Sequence, residues 1–190
     1  MEKGSCEWND GMYGKHPTPY TGLAGFVGQL RVRTIRRLAD IKPTDTVLEV
    51  GCEAGNLLAR LPESKRLVGT DISGAALRDA RNGLRNIGRT AEFVQCDATE
   101  RLPFAKGEFS VIICSEMLEH VDEPLRVIDN ILRISEPSTI IVLSVPNEET
   151  IRPLKRMLSK VGFMKVFMPE TPTDQSEWHL QAFSKSSFAK

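Results

Sequence analysis

Apolar runs rich in β-branched residues alternate with amphipathic segments along this chain, and a glycine turn follows the first run. Together these features predict an α/β domain, a doubly wound, mostly parallel sheet with helices on both faces. The 190 residues suit one such domain, and 41% hydrophobic with 26% charged residues is an ordinary globular composition that excludes disorder and collagen-like repeats. No internal repeat or low-complexity tract breaks the alternation.

At the N-terminus, Trp8, Tyr13, Pro17, Pro19 and Tyr20 lie in a stretch without clear periodicity. A lid folded over a site and an aromatic-anchored terminus are both open readings. Phe26, Leu30, Ile35 and Leu38 then predict a helix over Leu23 to Ala39, with Arg31, Arg33, Arg36 and Arg37 as its solvated face. The turn Lys42-Pro43-Thr44-Asp45 leads into a first strand, Thr46 to Val50. Further strands are expected over Arg66 to Thr70, Ala91 to Gln95, Phe109 to Cys114 and Thr139 to Val145. Between them, Ala75, Leu77, Ala80 and Leu84 form one stripe of a helix over Gly74 to Ile87. Val127, Ile128, Ile131 and Leu132 do the same over Pro124 to Ser135, so two crossover helices follow from spacing alone.

Charge and cysteine usage narrow the partners. The 25 basic and 25 acidic side chains cancel, so no global positive field recruits nucleic acid or anionic membrane. Cys6, Cys52, Cys96 and Cys114 form no CxxC pair, which predicts a reduced, cytoplasmic protein rather than a disulfide scaffold or zinc module. The opening MEKGSCEWND lacks a basic segment followed by an apolar core, and no apolar run approaches the roughly 18 residues of a membrane span. Neither secretion nor a span is expected.

The most informative stretch is VLEVGCEAGNLL, Val47 to Leu58, an apolar strand entering a glycine turn and then a helical segment. Gly51 and Gly55 let backbone approach a ligand, and a helix start would offer unpaired amides. Glu49 ends an otherwise apolar strand, where an unpaired carboxylate is costly, so a cationic or hydrogen-bond-donating partner is implied. Asp71 closes the second strand, where a carboxylate in doubly wound folds can accept from both ribose hydroxyls. A helix-cap role for that acid is served as well by Ser73. Asp97 follows the third strand, so three acids converge on the sheet edge where such folds place ligands. A dinucleotide fingerprint beginning at Gly51 would need glycine at positions 53 and 56, where Glu53 and Asn56 stand. Acids around the turn would repel a pyrophosphate, so the expected ligand is a nucleoside with a cationic tail.

On VLEVGCEAG, LVGTDIS, FVQCDATERLPFAKGEFSVIICSEMLEHV and LSVPN, the chain resembles the class I S-adenosylmethionine (SAM)-dependent methyltransferases, over about Val47 to Asn147. The resemblance implies a Rossmann-like fold and SAM as cofactor, with S-adenosylhomocysteine as product. It implies that Glu49 sits near the methionine ammonium and that Gly51, Cys52 and Gly55 admit the methionine and ribose portion. Asp71 would hold the ribose, Ile72 would pack on adenine, Asp97 would accept from the adenine amino group, and the Ala98 amide would meet a ring nitrogen. Ser115 and Glu116 would line the inner wall. The family usually has a third glycine where Glu53 stands, so that carboxylate either points outward or narrows the turn.

Glu116, Glu119 and His120 stand at i, i+3 and i+4 of an expected helix start, a spacing that can place all three on one face. They resemble the ExxEH part of the metal site in small-RNA end methyltransferases, but Val121 replaces a further histidine and many related enzymes carry EHV without metal. No metal is expected, and His120 is read as a substrate-wall or structural residue.

Methyl transfer from a sulfonium is an in-line displacement with an activated leaving group, so positioning dominates. Where the acceptor must lose a proton, His120 and His179 are the candidate bases, with His16 weaker. The stretch EWHLQAFS around His179 resembles a late motif of small-molecule methyltransferases. The expected division is residues 1–40 as lid segment and helix, 41–148 as cofactor-binding core, and 149–190 as substrate-side insertion and start of the C-terminal part of the same domain. Glu149 to Lys160 with Phe163 to Met168 and Trp178 to Phe183 can be read as the closing helix and hairpin. The preferred reading makes Glu149 to Met168 an insertion, with the last strands missing and the exposed edge pairing with a second copy as a homodimer. The apolar residues Leu154, Met157, Leu158, Val161, Phe163, Met164, Val166 and Phe167 favour a small-molecule, lipid-linked or sugar-like acceptor, although ordinary core explains them too. The alternative from another class is a SAM-binding module without catalysis, acting as a partner subunit.

Overall fold

The computed structural model describes residues 6–13 and 22–146. His16, His179, Pro17, Pro19, Tyr20, the apolar stretch Glu149 to Met168 and both readings of the C-terminal part lie outside the described residues.

Helix α1 (Cys6–Tyr13) is followed by α2 (Gly22–Ala39), β1 (Thr46–Val50), β2 (Arg66–Asp71), α3 (Gly74–Asn86), β3 (Glu92–Gln95), β4 (Val111–Ser115), α4 (Pro124–Ile134) and β5 (Ile140–Ser144). Every strand pairing is parallel and the order is β3-β2-β1-β4-β5. The strand order reverses at β1, so the crevice beyond the C-terminal ends of β1 and β4 is the expected ligand edge. Register makes that edge even, with Val50 opposite both Thr70 and Cys114, Asp71 opposite Gln95, and Ser115 opposite Ser144.

Alternation along β1 divides the core. Val47 faces a cluster with Val32, Ile35 and Ala39 of α2 and Leu77 and Leu84 of α3. Leu48 and Val50 face Phe109, Leu118 and the α4 residues Val127, Ile131 and Ile134. Glu49 shares the side of Val47, toward α2, because side chains two apart share a face. At the opposite end of the sheet, Arg66 pairs with Glu92 and Glu108 at 2.7 Å each and tethers the starts of β2 and β3.

Helix stripes differ from expectation in detail. On α2 Val32, Ile35 and Ala39 are buried, whereas Leu30 and Leu38 are exposed. On α3 Ala76 is buried rather than Ala75, and its N-cap is Ser73, whose hydroxyl accepts the Ala76 amide. On α4 Leu132 is exposed and Asn130 is buried, with its side-chain amide donating to the carbonyls of Ala98 and Glu100. That polar residue belongs inside because it satisfies the turn after Asp97. The helical segment expected after the glycine turn is a single 3-10 turn, Leu58–Arg60. Pro62 ends it, since a residue before proline is driven to extended backbone, and Leu61 has φ −68° and ψ 155°. No described helix is long and apolar enough to cross a membrane.

The sheet leaves no room for side-chain growth behind the turn. A Cβ added at Gly69 would stand 2.7 Å from Leu58 Cδ1 and 2.8 Å from Cys52 Sγ. Gly69→Ala is therefore expected to lower stability by about 1–3 kcal/mol, read from urea unfolding; a midpoint equal to the parent's would contradict this packing.

Candidate functional site at the carboxyl edge of the sheet

The glycine turn folds back on β2. The amides of Gly51 and Cys52 both donate to the Thr70 carbonyl at 2.8 Å, the Glu53 amide donates to Asp71 Oδ2 at 2.9 Å, and the Gly55 amide donates to the Cys52 carbonyl. The four turn amides, which could otherwise grip an anion, are thus committed within the protein. Gly51 has φ +73°, and a Cβ there would collide with the Met117 side chain. Gly55, at φ +71°, is pressed against Ala80 and Leu84 of α3. Cys52 is buried between turn and β2, and burial, then the nearby Glu49 charge, raises its thiol pKa well above the usual range.

Glu49 is only 3% exposed, and its Oε2 has no hydrogen-bond partner. Burial raises its pKa well above the ordinary carboxyl value; Arg31 and the Leu58 amide oppose the rise, and Asp71 adds to it. Arg31 is the residue sequence reasoning missed. Arg33, Arg36 and Arg37 are exposed as expected, but Arg31 turns inward and pairs with Glu116 Oε2 at 3.3 Å. Its position along the helix was the available signal. A helix that feeds a strand through a short turn runs back along the sheet, so its earlier half lies beside the strands' C-terminal ends.

Asp71 is held at both oxygens, Oδ1 by the Ser73 amide and Oδ2 by the Glu53 amide, each at 2.9 Å. Burial raises its pKa, the two amides counter it, and Asp10 adds to the rise. Ile72 follows, half-buried, with its carbonyl accepting from Gln95. Asp97 Oδ1 accepts from the amide and hydroxyl of Thr99, and Ala98 is buried beside it. Ser115 Oγ lies 2.9 Å from Ser144 Oγ, and Glu116 Oε1 accepts from that Ser144 hydroxyl at 3.2 Å. Glu49, Gly51, Cys52, Asp71, Ile72, Asp97, Ala98, Ser115 and Glu116 thus all stand at one sheet edge.

The ExxEH stretch does not present one face. Glu116 has φ +54° and precedes a 3-10 turn, Leu118–His120, rather than starting a helix. Its carboxylate goes to Arg31 and Ser144, whereas Glu119 is 2% exposed, with Oε1 3.7 Å from His120 Nε2. Among the described residues no group of three such side chains is disposed to hold a metal.

A sequence profile of the family described as "Methyltransferase domain" matches residues 25–189. A ubiquinone biosynthesis O-methyltransferase of Thiobacillus denitrificans is 32% identical over 122 residues, 64% of this chain and 52% of that protein. The chain thus spans about half the length of the curated relatives it matches. Among solved structures, a SAM-dependent methyltransferase of Thermotoga maritima superposes with a TM-score of 0.59 at 17% identity, covering 86% of this chain and 69% of the other. The 4+2 cyclase SpnF gives 0.59 at 21%, covering 67% and 48%. At these identities the structural likeness shows the fold alone.

Two substitutions probe the turn without any ligand. Glu49 has a folded-state pKa above its unfolded value, so the folded state binds the extra proton and stability falls as pH rises above the unfolded carboxyl range near 4. Glu49→Gln is expected to melt higher than the parent at pH 7, with the gap closing toward pH 4; a gap independent of pH would contradict the burial. Glu53 sits at φ +48°, a left-handed conformation that disfavours side chains. Glu53→Gly is expected to raise stability by about 1 kcal/mol in urea unfolding, and an unchanged or lower midpoint would show the strain to be compensated.

Proposed function

Since this chain belongs to the class I SAM-dependent methyltransferase family, we propose that its carboxyl edge binds SAM and that it methylates a hydroxyl of a small-molecule acceptor. The observation that carries this reading is the combination of buried acids with a glycine turn whose amides at Gly51, Cys52, Glu53 and Gly55 are already bonded. Such an edge repels a pyrophosphate and suits a nucleoside bearing positive charge.

The residues fit that cofactor. Glu49 Oε2, buried and unpartnered, is an acceptor for the ammonium of the methionine arm, and the nearby Arg31 guanidinium suits the carboxylate of the same arm. A carboxylate has about four acceptor positions, so Asp71 can receive two ribose hydroxyls beside the Glu53 and Ser73 amides. Ile72 offers an apolar surface to adenine; Asp97 and the Ala98 amide would read its edge. When bound, SAM supplies a methyl group on a positively charged sulfur that is already an activated leaving group.

On the acceptor side, Ser115 and Glu116 form the wall after β4. His120, beside the buried Glu119, is the candidate base for a hydroxyl proton. The names of the O-methyltransferase relatives support oxygen as the methylated atom. On this reading residues 1–40 cover the site, 41–148 hold the cofactor and 149–190 face a small, lipid-linked or sugar-like acceptor, all in one domain. The second reading, a binding module without turnover, is favoured by Glu53 standing in left-handed backbone.

Calorimetric titration with SAM tests the assignment. Asp71→Ala should weaken binding by about 1–3 kcal/mol, the loss of hydrogen bonds to a charged acceptor. Unchanged affinity in a folded variant would refute the ribose role, and binding without methyl transfer to any hydroxyl acceptor would favour the module.

A further inference from the structure

Helix α1 packs on α3, and its Cys6 and Asp10 side chains reach the turn that joins β2 to α3. Cys6 Sγ donates to the Ile72 carbonyl at 3.1 Å, and Gln95 Nε2 donates both to Cys6 Sγ at 3.1 Å and to that same carbonyl at 2.9 Å. Asp10 Oδ1 accepts from the Ser73 hydroxyl and from the Ala75 amide, the latter at 3.2 Å. Ser73 is 3% exposed; its amide holds Asp71 Oδ1 and its oxygen caps α3 by accepting from Ala76.

These contacts form one chain of fixed groups. The Ser73 hydroxyl has a single proton, and donating it to Asp10 leaves the oxygen lone pairs free to cap the helix. Asp10 also answers the Ala75 amide in the first turn of α3, where helical amides lack internal partners. The stretch Asp71 to Ala75 is thereby fastened from α1 by Asp10 and from β3 by Gln95.

We propose that Asp10 is a positioning residue that holds the Asp71–Ala75 turn in the geometry that grips the ribose and adenine, so that releasing this contact opens the nucleoside end of the site. The inference rests on the SAM reading of this edge. Asp10 works through an acceptor atom rather than through its charge, because Asp71 is also acidic and the two carboxylates repel. Asparagine at position 10 offers the same acceptor oxygen and removes that repulsion, whereas alanine offers neither.

The test uses the full chain and S-adenosylhomocysteine, with 5′-methylthioadenosine as a probe that lacks the amino-acid arm. Stopped-flow displacement gives the dissociation rates, and calorimetry gives the affinities. Asp10→Ala is expected to speed dissociation of both ligands about 5- to 10-fold with association changed less than about twofold, a residence-time effect. Asp10→Asn is expected to restore the parent rate within about twofold. Gln95→Ala, at an exposed side chain, should speed dissociation in the same direction even where Asp10→Ala fails to fold. Parent-like dissociation in Asp10→Ala, or an asparagine variant as fast as the alanine one, would overturn the proposal, as would an unchanged rate in Gln95→Ala. Failure of the parent itself to bind either ligand would instead refute the SAM reading.

Discussion

The site depends on one buried carboxyl group. Glu49 occupies a β1 position on the same sheet face as Val47, which packs into the α2 and α3 core, so a neutral apolar residue would serve the fold better there. Its Oε2 lacks a partner, and its neighbours pull in opposite directions, Arg31 and the Leu58 amide favouring the charge and Asp71 opposing it. Arg31 pairs with Glu116, so the guanidinium ties the end of β4 to α2 while its charge acts on Glu49. A ligand ammonium would complete what the protein leaves incomplete. On the proposed reading a stability defect would become binding energy: the folded chain keeps an acceptor dehydrated before a ligand arrives, and the acceptor would need little reorganisation afterwards.

The glycine turn reinforces the same selection by an opposite device. In nucleotide sites that grip phosphate, such a turn points free amides at the anion. Here the amides of Gly51, Cys52, Glu53 and Gly55 tie the turn to Thr70, Asp71 and itself. On the proposed reading the turn would meet a ligand with its surface and with the acids it positions. Asp71 gains from this arrangement, because two amides hold the carboxylate in place and leave acceptor positions for hydroxyls.

Much of this was legible in the sequence because it depends on strand alternation and on acids at strand ends. Thr46–Val50 matches its expected span, and Arg66–Asp71 and Ile140–Ser144 differ only at their ends. Glu49, Asp71 and Asp97 meet at one edge because a parallel sheet aligns all its C-terminal ends, a property of topology rather than of side chains. Other features depend on contacts between elements far apart in sequence. The inward turn of Arg31, the exposure of Leu132 and the burial of Asn130 against the Asp97 turn are settled by what each helix meets, and the stripe pattern fixes only its approximate face. The spacing of Glu116, Glu119 and His120 misleads for a local reason: left-handed backbone at Glu116 and a short 3-10 turn break the helical period on which that spacing relies.

The fold alone does not choose the chemistry, as its likeness to a cyclase makes plain. Methyl transfer asks little of side chains, because the leaving group is activated in advance and the reaction turns on alignment of nucleophile, methyl and sulfur. In such a reaction the groups that fix the cofactor's orientation matter as much as any base. On the proposed reading Asp71 and Ile72 would hold the adenosine portion, several bonds from the sulfur, so a small swing of the Asp71–Ala75 turn would be magnified at the methyl group. A misplacement of about 1 Å can cost roughly 100-fold in rate. A turn fastened from α1 by Asp10, from β3 by Gln95 and from the glycine turn by the Glu53 amide is stiff in the direction that alignment requires. Rigidity at the nucleoside end can thus govern rate at the reacting end.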